Sequence, residues 1–345
     1  MKARGLIDWG TALWWQGNYD DSEAKAQQAL FQYDRLKNEK GQADALYLLG
    51  ECATKTGDYA RAKSHYENVL AINRRLGKLS MELSVLNSLG VLMNHQQEYS
   101  AARMYFEQAR ALCIKIGNQK GLGMVSNNLG TNAHFLGQYE SATEAYMEAL
   151  RIGREAGVRT EEAIALNNLG EVAHLQERYE TAKTYFEQAI AIEVELNIPY
   201  FEAHTVSKYG ATLLALKQFA DAEETFQRAL QIRESLGQSH LGIGSRLGLA
   251  HIALEKERRA EALAHVEFIL EAFFTNPPDG FDDPLYLYWD SYTILKHLGD
   301  HRAEKIIQEA QSLLESQAAR IPDEDSRQSF LINIPVNKKI SAIVF

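Results

Sequence analysis

The feature that most constrains this chain is a period of 40 residues that runs from the N-terminus past residue 260. A glycine recurs in each period, and Ala250 continues its column: Gly10, Gly50, Gly90, Gly130, Gly170, Gly210. An aromatic residue follows nine positions later: Tyr19, Tyr59, Tyr99, Tyr139, Tyr179, Phe219. An alanine (Ala62 to Ala262) and a second aromatic come next: Tyr66, Phe106, Tyr146, Phe186, Phe226. Columns in register over six or seven periods identify an array of repeats.

Each repeat is expected to contain two helices and a turn. Helical periodicity breaks between the glycine and the alanine, where residues such as Thr56, Gly57 and Asp58 favour a turn. A glycine inside the first helix costs about 1 kcal/mol relative to alanine, which makes sense if the second helix crosses closely against it. The alanine and the second aromatic share one face of the second helix, so the aromatic should fill the space that the small residues leave.

The ends of the helices are also marked in the sequence. The second helices should end at residues that tolerate a left-handed conformation: Gly77, Gly117, Gly157, Asn197, Gly237. Pro199 suits the first turn of the helix that follows, and Pro284 should open another. Asp323 follows a proline and begins an acidic stretch, which favours a helix N-terminus there.

The segments 43–72 and 163–192, with their Leu-Gly, alanine and aromatic columns, resemble tetratricopeptide repeats. The resemblance covers residues 3–274, with a decayed copy to about 318. The common repeat has about 34 residues, so these are longer, as in kinesin light chain, the spindle adaptor LGN and the repeat regions of bacterial signalling ATPases and transcription regulators. HEAT repeats have a similar length but lack these columns. The resemblance implies an all-α, right-handed α-solenoid of seven to eight helix-turn-helix repeats with a C-terminal helical cap.

The regularity fails near the C-terminus. We expect seven regular repeats over 1–274, a loop over 275–284, an atypical eighth repeat over 285–318 and a capping tail over 319–345, because terminal repeats lack one neighbour. At the other end, Trp9, Trp14 and Trp15 lie in a first helix with no preceding repeat. At least one of these indoles should be exposed, or used in self-association or contact with an upstream domain.

Composition excludes several classes of function. The net charge of −10 argues against nucleic acid as the main partner, because phosphate binding needs clustered cations. The two cysteines, Cys52 and Cys113, provide no disulfide framework and fall within helical patterns, which fits buried positions and a reducing, cytoplasmic compartment. The sequence contains no signal peptide and no apolar run of 18 residues, so no membrane span is expected.

No motif for catalysis or a cofactor stands out. Gly121-Leu122-Gly123 and Gly242-Ile243-Gly244 lack the strand and lysine of a phosphate loop. Glu171 and His174 share a helix face, but zinc needs three or four convergent ligands, which favours a polar groove lining instead. A calcium site at Asp279, Asp282 and Asp283 is disfavoured because the ligand alternation is missing. We therefore expect no enzyme activity, no metal and no cofactor.

Paired asparagines are the feature that the scaffold does not explain. Asn127-Asn128 and Asn167-Asn168 each precede a Leu-Gly pair, although asparagine is a mediocre helix former. In tetratricopeptide arrays the first helices line a concave groove, and the resemblance to kinesin light chain and LGN implies that asparagines there hold peptide backbone. We therefore expect a peptide site at residues of these helices: Asn87, Asn127, Asn128, Thr131, His134, Asn167, Asn168, Glu171, His174, Lys208. The alternative is that the asparagines bond neighbouring helices within the array.

Two hypotheses for function follow. The first is a non-catalytic scaffold that binds an extended protein or peptide segment through an asparagine ladder, with Glu171 and Lys208 biasing the ligand by charge. The second is the sensor or regulatory arm of a larger bacterial signalling NTPase or transcription regulator. The tail 321–335 resembles the C-terminal ends of such proteins, in which a nucleotide-binding domain precedes the repeats.

Overall fold

The computed structural model describes residues 2–275 and 284–343. Over these ranges the chain forms eighteen α-helices and the short 3-10 helix Ser239–Gly242, with no strand, so the all-helical prediction is confirmed. Successive periods contribute successive helix pairs. The helices of the periodic region are α1 (Lys2–Trp15), α2 (Tyr19–Arg35), α3 (Glu39–Lys55), α4 (Tyr59–Leu76), α5 (Leu79–His95), α6 (Tyr99–Ile116), α7 (Gln119–Phe135), α8 (Tyr139–Glu155), α9 (Arg159–Leu175), α10 (Tyr179–Glu195), α11 (Pro199–Ala215), α12 (Phe219–Ser235), α13 (Ile243–Glu255) and α14 (Arg259–Thr275).

The chain divides into two compact blocks, Met1–Asn132 and Ala133–Phe345, with the division inside α7. We call them the N-terminal block and the C-terminal block. In each block a helix packs against the helices before and after it in the sequence, as α3 does with α2 and α4, and α10 with α9 and α11. Both blocks are therefore built from neighbouring helix pairs.

The glycine column marks close helix crossings, as the sequence predicts. A Cβ atom on Gly90 would lie 2.4 Å from the Phe106 ring, and one on Gly170 would lie 2.7 Å from the Phe186 ring. Both aromatic rings are completely buried. Because no side chain fits between the first helix and this ring, the glycine allows the two helices of a repeat to pack closely.

The expected helix ends are also confirmed. Gly77 and Gly117 follow their helices with φ of 63° and 70°, and Asn197 adopts φ of 52°. Pro199 is the first residue of α11, where its missing N–H group costs nothing. Cys52 and Cys113 are free and buried.

The C-terminal region forms α15 (Pro284–Leu298), α16 (Arg302–Ala319), α17 (Glu324–Ile332) and α18 (Pro335–Ser341). Helices α15 and α16 pack as a pair, and α18 packs on both. The Asp323 carboxylate caps α17 by accepting a hydrogen bond from the Ser326 N–H at 2.8 Å. The expected loop at 275–284, including its three aspartates, falls almost entirely outside the described residues.

The N-terminal tryptophans differ in exposure. Trp9 is 56% exposed and Trp15 is 77% exposed, which confirms that at least one indole is accessible. Trp14 is partly buried, and its ring meets that of Trp15 edge-on with 4.9 Å between centroids. The Lys25 ammonium lies over the Trp9 ring at 4.1 Å. Self-association through these residues stays a prediction.

Candidate functional site

The candidate site is the row of polar side chains on the first helices, described here for each block. In the N-terminal block, the Asn128 carboxamide N–H on α7 donates a hydrogen bond to Asn87 Oδ1 on α5 at 2.7 Å. Both residues are partly buried. This bond links two successive first helices, which is the arrangement that the alternative reading of the asparagines describes.

The other expected residues of α7 in this block lie beside that pair. The Thr131 hydroxyl donates to the Asn127 backbone carbonyl at 3.2 Å, one turn earlier in the same helix. A second carboxamide pair was not anticipated: Asn132 Nδ2 donates to Asn94 Oδ1 at 2.8 Å and to the Tyr99 carbonyl at 2.9 Å. In the N-terminal block, α5 and α7 are therefore joined by hydrogen bonds between neutral carboxamides at two places along the helices.

A further polar cluster in the N-terminal block was missed. The Tyr47 and Ser88 hydroxyls lie 3.1 Å apart, and the Tyr66 hydroxyl donates to the Glu51 carboxylate at 2.7 Å. Burial, reinforced by the nearby Glu51 charge, raises the pKa of Tyr47 to about 12. The sequence signal that could have identified this cluster is its position in the repeat, because Tyr47 lies one period before Asn87 and two before Asn127.

In the C-terminal block the asparagines bond within α9. Asn167 Nδ2 donates to Glu171 Oε1 at 3.1 Å and to Asn168 Oδ1 at 3.3 Å. Asn167 is 7% exposed, and its own Oδ1 is buried without a hydrogen-bond partner among the described residues. The Glu171 charge fixes the orientation of this amide, because a flipped amide would point an oxygen at a carboxylate.

Glu171 is the centre of a charged cluster between α9 and α11. Its carboxylate lies 3.1 Å from His204 Nε2 and 3.5 Å from Lys208 Nζ. Burial acts to raise the pKa of Glu171, but Lys208 and the hydrogen bond from His204 outweigh it and hold that pKa well below its usual range. Glu171 and Lys208 therefore form an ion pair with each other, and their effect on the charge of a ligand stays a prediction.

His174 is a neutral member of the same face. Its Nδ1 lies 3.0 Å from the Thr212 hydroxyl, which itself donates to the Lys208 carbonyl at 3.2 Å. A hydroxyl has one proton to donate, so the bond to the Lys208 carbonyl assigns the Nδ1–H tautomer to His174, with Nδ1–H donating a hydrogen bond to the Thr212 oxygen. Burial, with the Lys208 charge, lowers the pKa of His174 to about 4. His134 lies in the last turn of α7, with its ring 6.1 Å from that of Tyr139.

The structure thus brings Asn87 and Asn128 together in one block, and Asn167, Asn168 and Glu171 in the other. His204 and Thr212 are the further members that sequence reasoning missed, although His204 precedes Lys208 by one helical turn and so shares its face. In the described ranges, no three histidine, cysteine or acidic side chains are grouped so as to hold a metal ion. Among the same residues, no helix is both long and apolar enough to cross a membrane.

Comparisons with known proteins agree with this repeat architecture. The tetratricopeptide repeat family model matches residues 2–75, 81–155 and 124–193. A comparison of the sequence with curated proteins found no match.

Three solved structures have similar folds. A Rap protein complexed with Competence and Sporulation Factor is 14% identical, with a TM-score of 0.65 over 98% of this chain and 97% of that one. BtubC (BKLC) from P. vanneervenii is 23% identical, with a TM-score of 0.57 over 64% of this chain and 92% of that one. A signal transduction ATPase with numerous domains and a tetratricopeptide repeat sensor, from Pyrococcus horikoshii, is 16% identical. Its TM-score is 0.65, over 79% of this chain and 43% of that one.

Proposed function

This chain belongs to the tetratricopeptide repeat family, and from that premise we propose that the polar faces of its first helices bind an extended segment of a partner protein. The fold is generally a non-catalytic interaction scaffold, and the proposal involves no reaction, metal or cofactor. The cytoplasmic location expected from the sequence remains part of this proposal.

The observation that carries the proposal is the 2.7 Å hydrogen bond between the carboxamides of Asn128 and Asn87, two partly buried side chains on the successive first helices α7 and α5. The N–H group of a peptide bond is a donor that every ligand residue except proline can supply. An extended segment lying beside α5 and α7 would therefore offer donors, and carbonyl acceptors, to both amides.

The Asn87–Asn128 pair keeps hydrogen-bonding capacity for such a segment. A carboxamide has two N–H donors and an oxygen with two lone pairs. The bond from Asn128 to Asn87 uses one N–H group and one lone pair, so it leaves capacity for the C=O and N–H groups of a ligand backbone. The bond between helices then orients the amides before a ligand arrives, which reduces the entropy lost on binding.

The test uses peptides selected from a random phage-displayed library on the complete chain. Their affinity is compared between the native chain and the single variants Asn128→Ala and Asn168→Ala, one in each block. Each loss should cost about 0.5–1.5 kcal/mol, or roughly 2- to 13-fold in Kd. Asn68→Ala is the matched control, because Asn68 is an exposed asparagine on the second helix α4. Unchanged affinity in both first-helix variants would show that the asparagines belong to the scaffold alone.

A sensor role within a larger signalling NTPase is the second candidate. It is favoured by the likeness to the Pyrococcus horikoshii signal transduction ATPase, of which this chain spans 43%, and by the tail 321–335 noted above. The sensor role predicts a continuous reading frame upstream of Met1 that encodes a nucleotide-binding domain. A stop codon immediately upstream would contradict the sensor role and leave the scaffold proposal.

A further inference from the structure

The turn that follows α7 is buried, unlike the equivalent turns of later repeats. In the C-terminal block, Leu136 is 3% exposed and Tyr139 is 6% exposed. The equivalent aromatic residues of the next two repeats, Tyr179 and Phe219, are only partly buried. Something therefore covers this one turn in addition to the repeat that forms it.

Gly137 shows what covers it. It has φ of +67°, but Glu177, Lys217 and Glu257 adopt φ of 60°, 59° and 57° at the same place in later repeats. The turn alone therefore does not require a glycine. A Cβ atom on Gly137 would lie 2.9 Å from the Ser329 carbonyl oxygen of α17. The missing side chain makes room for the C-terminal tail.

Two hydrogen bonds hold the tail on the turn. Gln138 Nε2 donates to the Ser326 hydroxyl at 3.3 Å. Asn333 Nδ2, at the end of α17, donates to the Gly137 carbonyl at 3.2 Å. Residues that are almost 200 positions apart in the sequence are therefore in direct contact, and this contact closes the C-terminal block.

The two tail helices are anchored very differently. In α18, Val336, Asn337 and Ile340 are all at most 1% exposed, and the helix packs on α15 and α16. In α17, Phe330 is the single fully buried side chain, and Ile332 is 54% exposed. Burial of apolar area is the main source of local stability, so α17 is held far more weakly than α18.

We propose that α17 is a releasable strap, which docks on the turn 136–138 and opens while α18 stays in place. Its docking on Gly137 and Gln138 would account for the burial of Leu136 and Tyr139 on either side of them. Its release would then raise the exposure of both residues, at the end of the helix that carries His134, whose ring contacts Tyr139. The strap therefore controls the surroundings of one residue of the candidate site. The inference itself needs no ligand and stands apart from the proposed function.

Hydrogen exchange on the complete chain tests the strap. In the native protein, the amides of 324–333 should exchange through a local opening, faster than those of α16 and α18. Gly137→Ala should speed this exchange roughly 5- to 150-fold, the range expected for an overpacked contact. Gly57→Ala is the matched control. Gly57 also has a positive φ, of +77°, in a turn between first and second helices, but a Cβ atom there would meet nothing within 4 Å.

A second variant, Ser326→Ala with Asn333→Ala, removes the two hydrogen bonds without straining the turn, in case Gly137→Ala misfolds. It should also speed exchange in 324–333 and leave α18 unchanged. The proposal is overturned if α17 exchanges at the same rate as α16 and α18 in the native chain. It is equally overturned if Gly137→Ala and the double variant both leave exchange in 324–333 as it is in Gly57→Ala.

Discussion

The polar faces of the two blocks use the same positions of the repeat for different chemistry. In the N-terminal block, the neutral carboxamides of Asn87 and Asn128 form a hydrogen bond between first helices. In the C-terminal block, Glu171 pairs with Lys208, and His174 lies beside them in its neutral form. The first arrangement has no group that titrates near neutral pH, whereas the second has a histidine whose protonation is suppressed by burial.

Comparing the two blocks distinguishes the residues that build the scaffold from those of the candidate site. The glycine–aromatic contacts recur in both blocks with nearly the same distances, because every repeat needs the same close crossing. The polar columns vary from one repeat to the next, so packing of the array does not dictate them. Variation at fixed scaffold positions is what a binding face needs in order to recognise different parts of a ligand.

The largest expected effect tests whether the scaffold is the same in both blocks. Gly90→Leu and Gly170→Leu should each destabilise the chain by about 3 kcal/mol, because the new side chain overlaps a buried phenylalanine ring. Thermal unfolding monitored by circular dichroism measures both. Gly5→Leu is the control, since a Cβ atom on this exposed glycine of α1 meets nothing within 4 Å. Equal stability of Gly90→Leu and Gly5→Leu would contradict the packing role of the column.

The second prediction concerns pH and applies to the C-terminal block. His174 has a folded pKa of about 4 against 6.5 for the free side chain, so between these values the unfolded chain binds a proton that the folded chain does not. Stability should therefore fall as pH drops from about 6.5 to about 4, by about 2 kcal/mol after allowing for partial exposure.

Unfolding in denaturant at several pH values, for the native chain and His174→Gln, isolates this contribution. The difference between the two stability curves should slope across that pH window and be flat above pH 7. Asn128→Ala supplies the comparison in the N-terminal block, and its difference curve should be flat throughout. A flat difference curve for His174→Gln would mean that the imidazole is protonated as readily in the folded chain as in the unfolded one.

The smallest effect concerns the neutral pair of the N-terminal block. A double-mutant cycle with Asn87→Ala and Asn128→Ala should give a coupling energy of about 1 kcal/mol, the usual net value of a hydrogen bond between neutral groups. The value should not change with pH between 5 and 8. Zero coupling would indicate that the two amides bond to water instead of to each other in solution.

The sequence predicted the scaffold well and the site only in part. The glycine and aromatic columns follow from close packing, which acts in the same way in every repeat, so period and residue size were sufficient. The asparagines stood out in the sequence because asparagine is a mediocre helix former. Their hydrogen-bond partners could not be predicted, because each carboxamide has several possible partners within reach. The contact between Gly137 and the strap α17 could not be foreseen. It depends on a contact between residues almost 200 positions apart, and no local pattern encodes where the tail returns.

The central claim is that a ligand backbone satisfies the polar faces of the first helices, and one structure tests it most directly. A crystal structure of the chain with a selected peptide should place a main-chain N–H group of the peptide about 2.7–3.2 Å from Asn128 Oδ1, the distance of an N–H···O hydrogen bond. A peptide bound away from the first helices, with Asn128 Oδ1 bonded only to water, would contradict the account.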